Sequence, residues 1–307
     1  ATNAFFNQLF GGRNETAVLG DLLAVILNNS MYTYKAGGPM IAIEKEIIRN
    51  ITDLLGWDDK SDGTLAAGGS MTNFKGILMA RDAFDPKIRH KGGRADLVLY
   101  TSEESHYSIP KNTAFAGIGR DNVRKIPADS MGRMDVKLLR QAIIKDKSDG
   151  LHPIMINATA GTTVLAAFDP FEEIAEICVD WNITLIEDAA ESLGSVYKKR
   201  RAGKFGVGST FSFHRTKTIT TGEGGMLLLD DEKLYDRCMF LRDHGRKKDA
   251  MYLNYEVTYK YMPFNVQAAL GYAQYQRIDE LVGLKRNQLR MYPPISLLVR
   301  FAIAYLN

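Results

Sequence analysis

The sequence predicts an α/β fold with three layers, in which a mostly parallel sheet lies between two layers of helices. Two observations predict it: short runs that are apolar at nearly every position, and helical patterns that separate them. Such runs are typical of strands buried on both faces of a parallel sheet, and their alternation with helices favours a doubly wound sheet. The predicted strands are Ala95–Tyr100, Pro153–Ala158, Ile183–Glu187, Thr210–Phe213 and Met226–Leu229.

Helical patterns surround these strands along the chain. The predicted helices are Ala17–Asn28, Ile41–Leu55, Met71–Phe84, Val136–Lys145, Pro170–Trp181, Lys233–Arg242 and Val266–Val282. Asp169 precedes Pro170, which predicts an N-cap followed by a proline in the first helical turn. Asp230 and Asp231 predict a second N-cap before Lys233.

The composition is that of an ordinary globular protein and argues against several classes of partner. The 307 residues are 45% hydrophobic and 24% charged, and the formal net charge is only +3. This balance argues against binding to nucleic acid or to an anionic membrane surface. The two cysteines form no CxxC motif, so we expect neither a disulfide framework nor a metal site. No leader pattern opens the chain, and Ile295–Leu306 is too short to cross a bilayer, so the expected location is cytoplasmic.

Lys217 follows a predicted buried strand and precedes a polar, glycine-rich turn that ends at Gly225. A lysine in such a place is usually a solvated surface residue. Here the neighbouring Thr and Gly residues provide small side chains and backbone amides, which suit the close approach of a phosphate. An acid, Asp188, also lies about thirty residues earlier at the end of another apolar strand.

Asp188 has two interpretations. It could be an N-cap for the following helix, or a buried carboxylate that faces a protonated pyridine nitrogen. The second hypothesis suits pyridoxal phosphate (PLP), whose ring accepts electrons when its nitrogen is protonated, and a nearby carboxylate favours that charged form. Two alanines after Asp188 leave room for a flat ring.

Two further segments are weaker signals. Gly68, Gly69 and Ser70 open a helix, where bare amides and the positive helix end favour a phosphate, although serine is also a common N-cap without any ligand. His106 precedes another predicted helical turn and is more often structural, but an imidazole can stack on a planar cofactor. No GxSxG elbow, GxGxxG fingerprint or P-loop occurs.

Together, in this order, these elements resemble the fold-type I PLP enzymes, which share the aspartate aminotransferase fold. Residues from about Phe5 to Cys178 resemble group II decarboxylases, near those for glutamate and cysteine sulfinate. The matching stretches are 5–9, 68–73, 102–108 and 157–163.

Residues from about Ile183 to Arg286 resemble the sugar aminotransferases of the DegT/DnrJ/EryC1/StrS family, near perosamine synthases. The matching stretches there are 187–191, 211–225, 241–245, 259–261 and 267–271. A natural fusion or an engineered chimera would give this pattern.

The resemblance implies a role for individual residues. Lys217 would hold PLP as a Schiff base, Asp188 would pair with the pyridine nitrogen, and His106 would stack on the ring. The other implied contacts are Glu191 with the ring hydroxyl, Ser212, Gly69 and Ser70 with the phosphate, and Met71, Thr162 and Ala190 with the pocket wall. Gln8 matches a decarboxylase position near the substrate.

The sequence departs from both families in ways that affect the predicted domains. Thr216 stands where the decarboxylases have a histidine, their mobile loop after the lysine has no counterpart, and we expect a C-terminal small domain to be largely missing. We therefore expect an N-terminal helical segment over 1–55, a large PLP-binding domain over 56–285 and a truncated C-terminal segment over 286–307.

Three functions remain open at this point. The neighbourhood of Lys217 favours an aminotransferase, the first half of the chain favours an acidic amino-acid decarboxylase, and the truncation would also suit an inactive protein of this fold. The resemblance implies a small-molecule amino donor and acceptor and a homodimer, to which Met251–Met262 could contribute an interface loop.

Overall fold

A seven-stranded sheet forms the centre of the protein in a computed structural model. The model describes residues 18, 19, 22, 23, 26, 40–242, 244, 245, 253–256, 258 and 265–291. Predictions that fall on Gln8, on 251–262 or on the tail after 291 lie wholly or largely outside the described residues. The same holds for most of the helix predicted over 17–28.

Helices separate the strands up to Asp188, after which the remaining strands follow one another and three helices come last. The strands are β1 Asp62–Ala66, β2 Leu97–Ser102, β3 Val123–Ile126, β4 His152–Thr159, β5 Thr184–Asp188, β6 Val196–Tyr197, β7 Arg200–Arg201, β8 Gly208–Ser212 and β9 Gly225–Leu229. The helices are α1 Met40–Leu55, α2 Gly69–Phe84, α3 Ile88–Lys91, α4 Ser108–Phe115, α5 Val136–Ser148, α6 Phe171–Trp181, α7 Glu232–Arg242, α8 Asn265–Tyr275 and α9 Ile278–Met291.

The sheet has the order β1-β9-β8-β5-β4-β2-β3, and β6 pairs with β7 in a separate hairpin. The strands from β8 through β3 are parallel, whereas β9 runs antiparallel to both β8 and β1. All strands of the seven-stranded sheet except β9 therefore point in one direction. Their carboxyl ends meet at one edge of the sheet, which is the usual place for a ligand in an open α/β sheet.

Two apolar cores cover the two faces of this sheet, which confirms the three-layer prediction. Alternate strand residues face opposite ways, so that Ile156 belongs to one core and Met155 to the other. Helices α1, α5, α6, α8 and α9 contribute to the first core, and α2, α3 and α7 contribute to the second. Helix α1 packs into the same core as the sheet, although the sequence predicts a boundary at its end.

The structure corrects several sequence predictions. The sequence misses β1, which is short and rich in small residues, and β3, which is a polar edge strand. The predicted helix Val266–Val282 is two helices, α8 and α9. Asp169 does not cap α6; its carboxylate accepts hydrogen bonds from the amides of Met134 and Thr159, both at 2.8 Å. Asp231 does act as a cap, since it accepts from the Leu234 amide at 2.8 Å.

Both cysteines, Cys178 and Cys238, are unpaired and buried, as expected for structural thiols. Burial raises the pKa of Cys178 to about 12 and that of Cys238 to about 11. No helix within the described ranges has the length and apolar character needed to span a membrane.

Candidate active site

A cavity of about 580 Å³ opens at the carboxyl edge of the sheet. Its wall is built from the segments that leave β1, β2, β4, β5 and β8, together with the turn that enters β9. Parallel strands bring these segments together because each strand ends at the same edge. Most of the predicted site residues lie on this wall. They are Gly69, Ser70, His106, Asp188, Ala190, Glu191, Ser212 and Lys217.

Asp188 ends β5 at the floor of the cavity and is only 2% exposed. Its Oδ2 accepts a hydrogen bond from Asn73 Nδ2 at 2.8 Å, and its Oδ1 accepts from the Ala190 amide at 3.1 Å. Burial raises the pKa of Asp188, while these two donors favour the ionised form and lower it. A carboxylate in this setting suits a cationic ligand atom that can neutralise it.

His106 precedes the start of α4, and its side chain contacts Ser108. Its Nδ1 is 2.8 Å from Ser108 Oγ, and it accepts a second hydrogen bond from the Ser108 amide at 3.3 Å. Burial lowers the pKa of His106, and the nearby carboxylate of Asp188 partly offsets this effect. The ring also contacts that of Tyr107, whose centroid is 4.2 Å away.

Lys217 follows β8 and forms an ion pair with Glu191, which follows β5. The Lys217 side chain is 14% exposed and that of Glu191 is 31% exposed, so both line the cavity without being fully buried. The amide of Lys217 donates to the His214 carbonyl at 2.9 Å, which shapes the turn that carries the ammonium group. Lys217 and Asp188 therefore share one cavity on one side of the sheet.

Gly69 and Ser212 approach each other closely at the N-terminus of α2. A Cβ atom on Gly69 would lie 2.8 Å from Ser212 Cβ, so only glycine allows this approach without a shift. Ser70 lines the cavity beside them. The N-terminus of a helix favours an anion, because its amides and the helix dipole both point toward it.

Two predicted pocket residues lie elsewhere. Thr162 is buried in its own loop, where its hydroxyl accepts from the Ala167 amide at 3.1 Å and its amide donates to the Ala167 carbonyl at 2.9 Å. Gly161, Thr163 and Val164 line the cavity from the same loop. Met71 packs against the apolar core under α2, because the helix turns it away from the cavity. Gln8 lies outside the described residues.

The sequence reasoning misses three polar residues that shape the site. Asn73 is 2% exposed and lies within the motif that opens α2, but the motif predicts a phosphate site at the helix start and gives Asn73 no role of its own. Ser108 and Thr159 are equally buried, and Thr159 pairs in register with Asp188 on the neighbouring strand. A polar residue at the carboxyl end of a buried strand was the available signal for Thr159.

The family model of the DegT/DnrJ/EryC1/StrS aminotransferases matches residues 127–295, which is more than half of the chain. The chain belongs to the DegT/DnrJ/EryC1/StrS aminotransferase family. Its matched region contains Asp188, Glu191, Ser212 and Lys217, so the family assignment includes the acid and the amine of the cavity.

This family member is also similar to decarboxylases. It is 37% identical over 242 residues to cysteine sulfinic acid decarboxylase of Mus musculus, a match that covers 76% of this chain and 49% of the relative. The crystal structure of mouse CSAD superposes with a TM-score of 0.75 at 30% identity, covering 94% of this chain and 63% of that one. A DegT/DnrJ/EryC1/StrS aminotransferase from Brucella abortus has a TM-score of 0.68 at 19% identity, covering 90% and 68%.

These comparisons confirm the fold-type I prediction and both resemblances. The chain spans about half the length of the curated relatives that it matches. The decarboxylase match covers 242 residues and the aminotransferase family model covers residues 127–295. The combined length of these two matches exceeds the 307 residues of the chain, so the matches overlap. Both resemblances therefore lie on one fold, that of the fold-type I PLP enzymes.

Proposed function

We propose that this chain is an aminotransferase that acts on an amino acid or an amino sugar, with Lys217 as its catalytic amine. The observation that carries the proposal is one cavity whose wall includes both the Lys217 ammonium group and the buried carboxylate of Asp188. An amine and a buried acid in one cavity, at the carboxyl edge of a parallel sheet, suit a cofactor that needs both groups.

The cavity fits PLP at two points. Thr159 Oγ1 has no hydrogen-bond partner among the described residues, although Thr159 is 4% exposed and lines the cavity. A buried hydroxyl of this kind calls for a polar partner from a ligand. The close approach of Gly69 to Ser212 also leaves a cradle at the α2 N-terminus that a larger residue than glycine would fill. A phosphate matches that cradle.

PLP, when bound, would supply an electron sink for negative charge that develops on the substrate. Asp188 would hold a proton on the pyridine nitrogen, and the hydrogen bonds from Asn73 and the Ala190 amide favour the ionised form that this pairing needs. Nζ of Lys217 would attach the cofactor covalently and then carry a proton, with the Glu191 carboxylate as its partner. The His106 ring would cover one face of the cofactor and exclude water from it.

Transamination is favoured over decarboxylation by the residues around the amine. Transfer of an amino group needs chiefly a free lysine that can move a proton, whereas decarboxylation also needs a donor held over the carbanion. The chain has Thr216 where the decarboxylases have a histidine, and the aminotransferase family model covers this whole region. The amino donor and acceptor would both be small molecules.

A second candidate function is decarboxylation of an acidic amino acid. One observation favours it: a relative named cysteine sulfinic acid decarboxylase is 37% identical over 76% of this chain. Glutamate and cysteine sulfinate are the two substrates to test, since each has a second acidic group.

Incubation of the full chain with PLP and glutamate separates the candidates. Transamination of glutamate is expected to give one equivalent of 2-oxoglutarate per site, whereas decarboxylation would release carbon dioxide. Cysteine sulfinate is tested as a second substrate in parallel. The variant Lys217→Ala should abolish either product, while Lys198→Ala removes an exposed lysine that pairs with Glu172 and should leave the reaction unchanged. Absence of any product with all amino donors tried would contradict both candidates.

We also propose that the active protein is a homodimer, since both resembling families are expected to assemble their sites between two subunits. Light scattering of the cofactor-loaded protein is expected to give twice the chain mass of 34.3 kDa. A fully active monomer would contradict this.

A further inference from the structure

Two buried side chains, Asn73 and Ser108, connect the acid of the cavity to its histidine. Asn73 Nδ2 donates to Asp188 Oδ2 at 2.8 Å and to Ser108 Oγ at 3.1 Å. Ser108 Oγ is in turn 2.8 Å from His106 Nδ1. Asn73 is 2% exposed and Ser108 is fully buried, so both lie away from bulk solvent.

The orientation of the Asn73 amide follows from its neighbours. The amide nitrogen faces Asp188 Oδ2, which as a carboxylate oxygen accepts its hydrogen. The amide oxygen on the other side accepts from Thr210 Oγ1 at 2.6 Å, which is compatible with the same orientation because a hydroxyl can donate. Both hydrogens of the Asn73 amide are then committed, one to Asp188 and one to Ser108.

This orientation decides where the other protons lie. Because Ser108 Oγ accepts from Asn73, its own hydrogen is available to donate to His106 Nδ1. The Ser108 amide also points at Nδ1, at 3.3 Å. Two donors therefore face Nδ1, which leaves it as an acceptor and assigns the proton of the neutral ring to Nε2.

We propose that Asn73 and Ser108 are positioning residues that hold His106 as its Nε2–H tautomer and tie the plane of its ring to the Asp188 carboxylate. The proposal deepens the proposed function, because a neutral ring in a fixed plane is what a flat, cationic cofactor needs above it. The two residues act through Asp188 and His106, and neither Asn73 Oδ1 nor Nδ2 is free to contact a substrate.

The tautomer can be measured on the ligand-free protein, which keeps the test independent of cofactor binding and of activity. Two-bond correlation spectra of the 15N-labelled full chain distinguish a protonated Nδ1 from a protonated Nε2. The chain has five histidines, and His106→Gln assigns the signals of this one by their loss. The spectrum is recorded at a pH where the ring is neutral.

The wild type is expected to show the proton on Nε2. Ser108→Ala should raise the ratio of Nδ1–H to Nε2–H by about fivefold, since one neutral hydrogen bond is lost. Ser108→Thr keeps the hydroxyl and should restore the wild-type ratio. Asn73→Leu should move the ratio in the same direction as Ser108→Ala, because Ser108 Oγ is then free to accept from Nδ1–H.

Thr113→Val is the matched control. Thr113 is a fully buried residue on the same helix, α4, and its hydroxyl donates to the Ile109 carbonyl at 2.8 Å, away from His106. Its loss should leave the tautomer ratio unchanged.

A wild-type spectrum with the proton on Nδ1 would overturn the proposal even if every variant failed to fold. So would an unchanged ratio in folded Ser108→Ala, and an unchanged ratio in Asn73→Leu would remove Asn73 from it. A wild-type protein that shows the Nε2–H tautomer but no absorbance from bound PLP would instead refute the proposed function and leave the positioning role intact.

Discussion

Replacement of Gly69 by alanine is a direct test of the proposed phosphate cradle. The added Cβ would lie 2.8 Å from Ser212 Cβ and 3.4 Å from Ala190 Cβ. Carbon atoms prefer a separation of about 3.5 to 4.0 Å, so the first contact is strongly repulsive. Ser212 cannot move away easily, because it ends β8 and pairs in register with Gly225.

The cost of such overpacking is typically about 1 to 3 kcal/mol. If the clash is relieved by moving Ser212 out of the cradle, the loss appears in cofactor affinity, where about 2 kcal/mol corresponds to roughly thirtyfold. If it is not relieved, the free energy of unfolding falls by a similar amount. Urea unfolding of the ligand-free protein and an absorbance titration with PLP measure the two losses separately.

Gly283→Ala is a matched control for this experiment. Gly283 lies inside α9, and a Cβ there would meet no atom within 4 Å. Alanine is favoured over glycine inside a helix by about 1 kcal/mol, so this variant should be slightly more stable and bind PLP as the wild type does. If Gly69→Ala matched it in both stability and affinity, the close approach to Ser212 would not matter and the cradle argument would fail.

Three further predictions concern charged groups. Lys217→Ala is expected to remove the visible absorbance of bound PLP and all activity. Its free energy of unfolding in urea should stay within about 1 kcal/mol of the wild-type value, and a coloured, active variant would disprove its role. Glu187 is fully buried and its pKa is raised to about 7 from 4.5, so the folded state takes up a proton and stability should fall as pH rises from about 4.5 to 7. That slope should shrink in Glu187→Gln, and an equal slope in both proteins would contradict the assignment. Lys75 is buried and its pKa is lowered to about 7 from 10.5, so the free energy of unfolding should rise between about pH 7 and 10.5 in the wild type. The rise should be smaller in Lys75→Met, and identical pH profiles of the two proteins would contradict the lowered pKa of Lys75.

Most of the fold was predictable because the buried strands are apolar at nearly every position. Met226–Leu229 illustrates the limit: the run predicts a buried strand, but a strand between two neighbours is equally apolar whether it runs parallel or antiparallel to them. Strand β1 escaped prediction because Asp62 and Gly63 weaken its pattern, while its burial comes from α1 and β9. Asp169 looked like a cap because it precedes a proline, yet a long-range contact with Met134 and Thr159 uses both of its oxygens.

The candidate site was predictable only where a residue stood within a local motif. Lys217 and Asp188 were predicted from such motifs, whereas Thr162 was assigned to the pocket from a motif in which its neighbours Gly161 and Thr163 line the cavity. A single residue of offset decides which side chain faces a ligand, and sequence spacing in a loop does not fix that offset.

The sequence by itself determined which residues could do the chemistry, because a lysine, an acid and glycine-rich turns at strand ends are local features. Only the tertiary structure decided that Asn73 contacts Asp188 across 115 positions and that Thr210 contacts Asn73 across 137. Such contacts depend on how the sheet brings distant strand ends to one edge. No local pattern encodes them, because each partner is satisfied only once the whole sheet has formed.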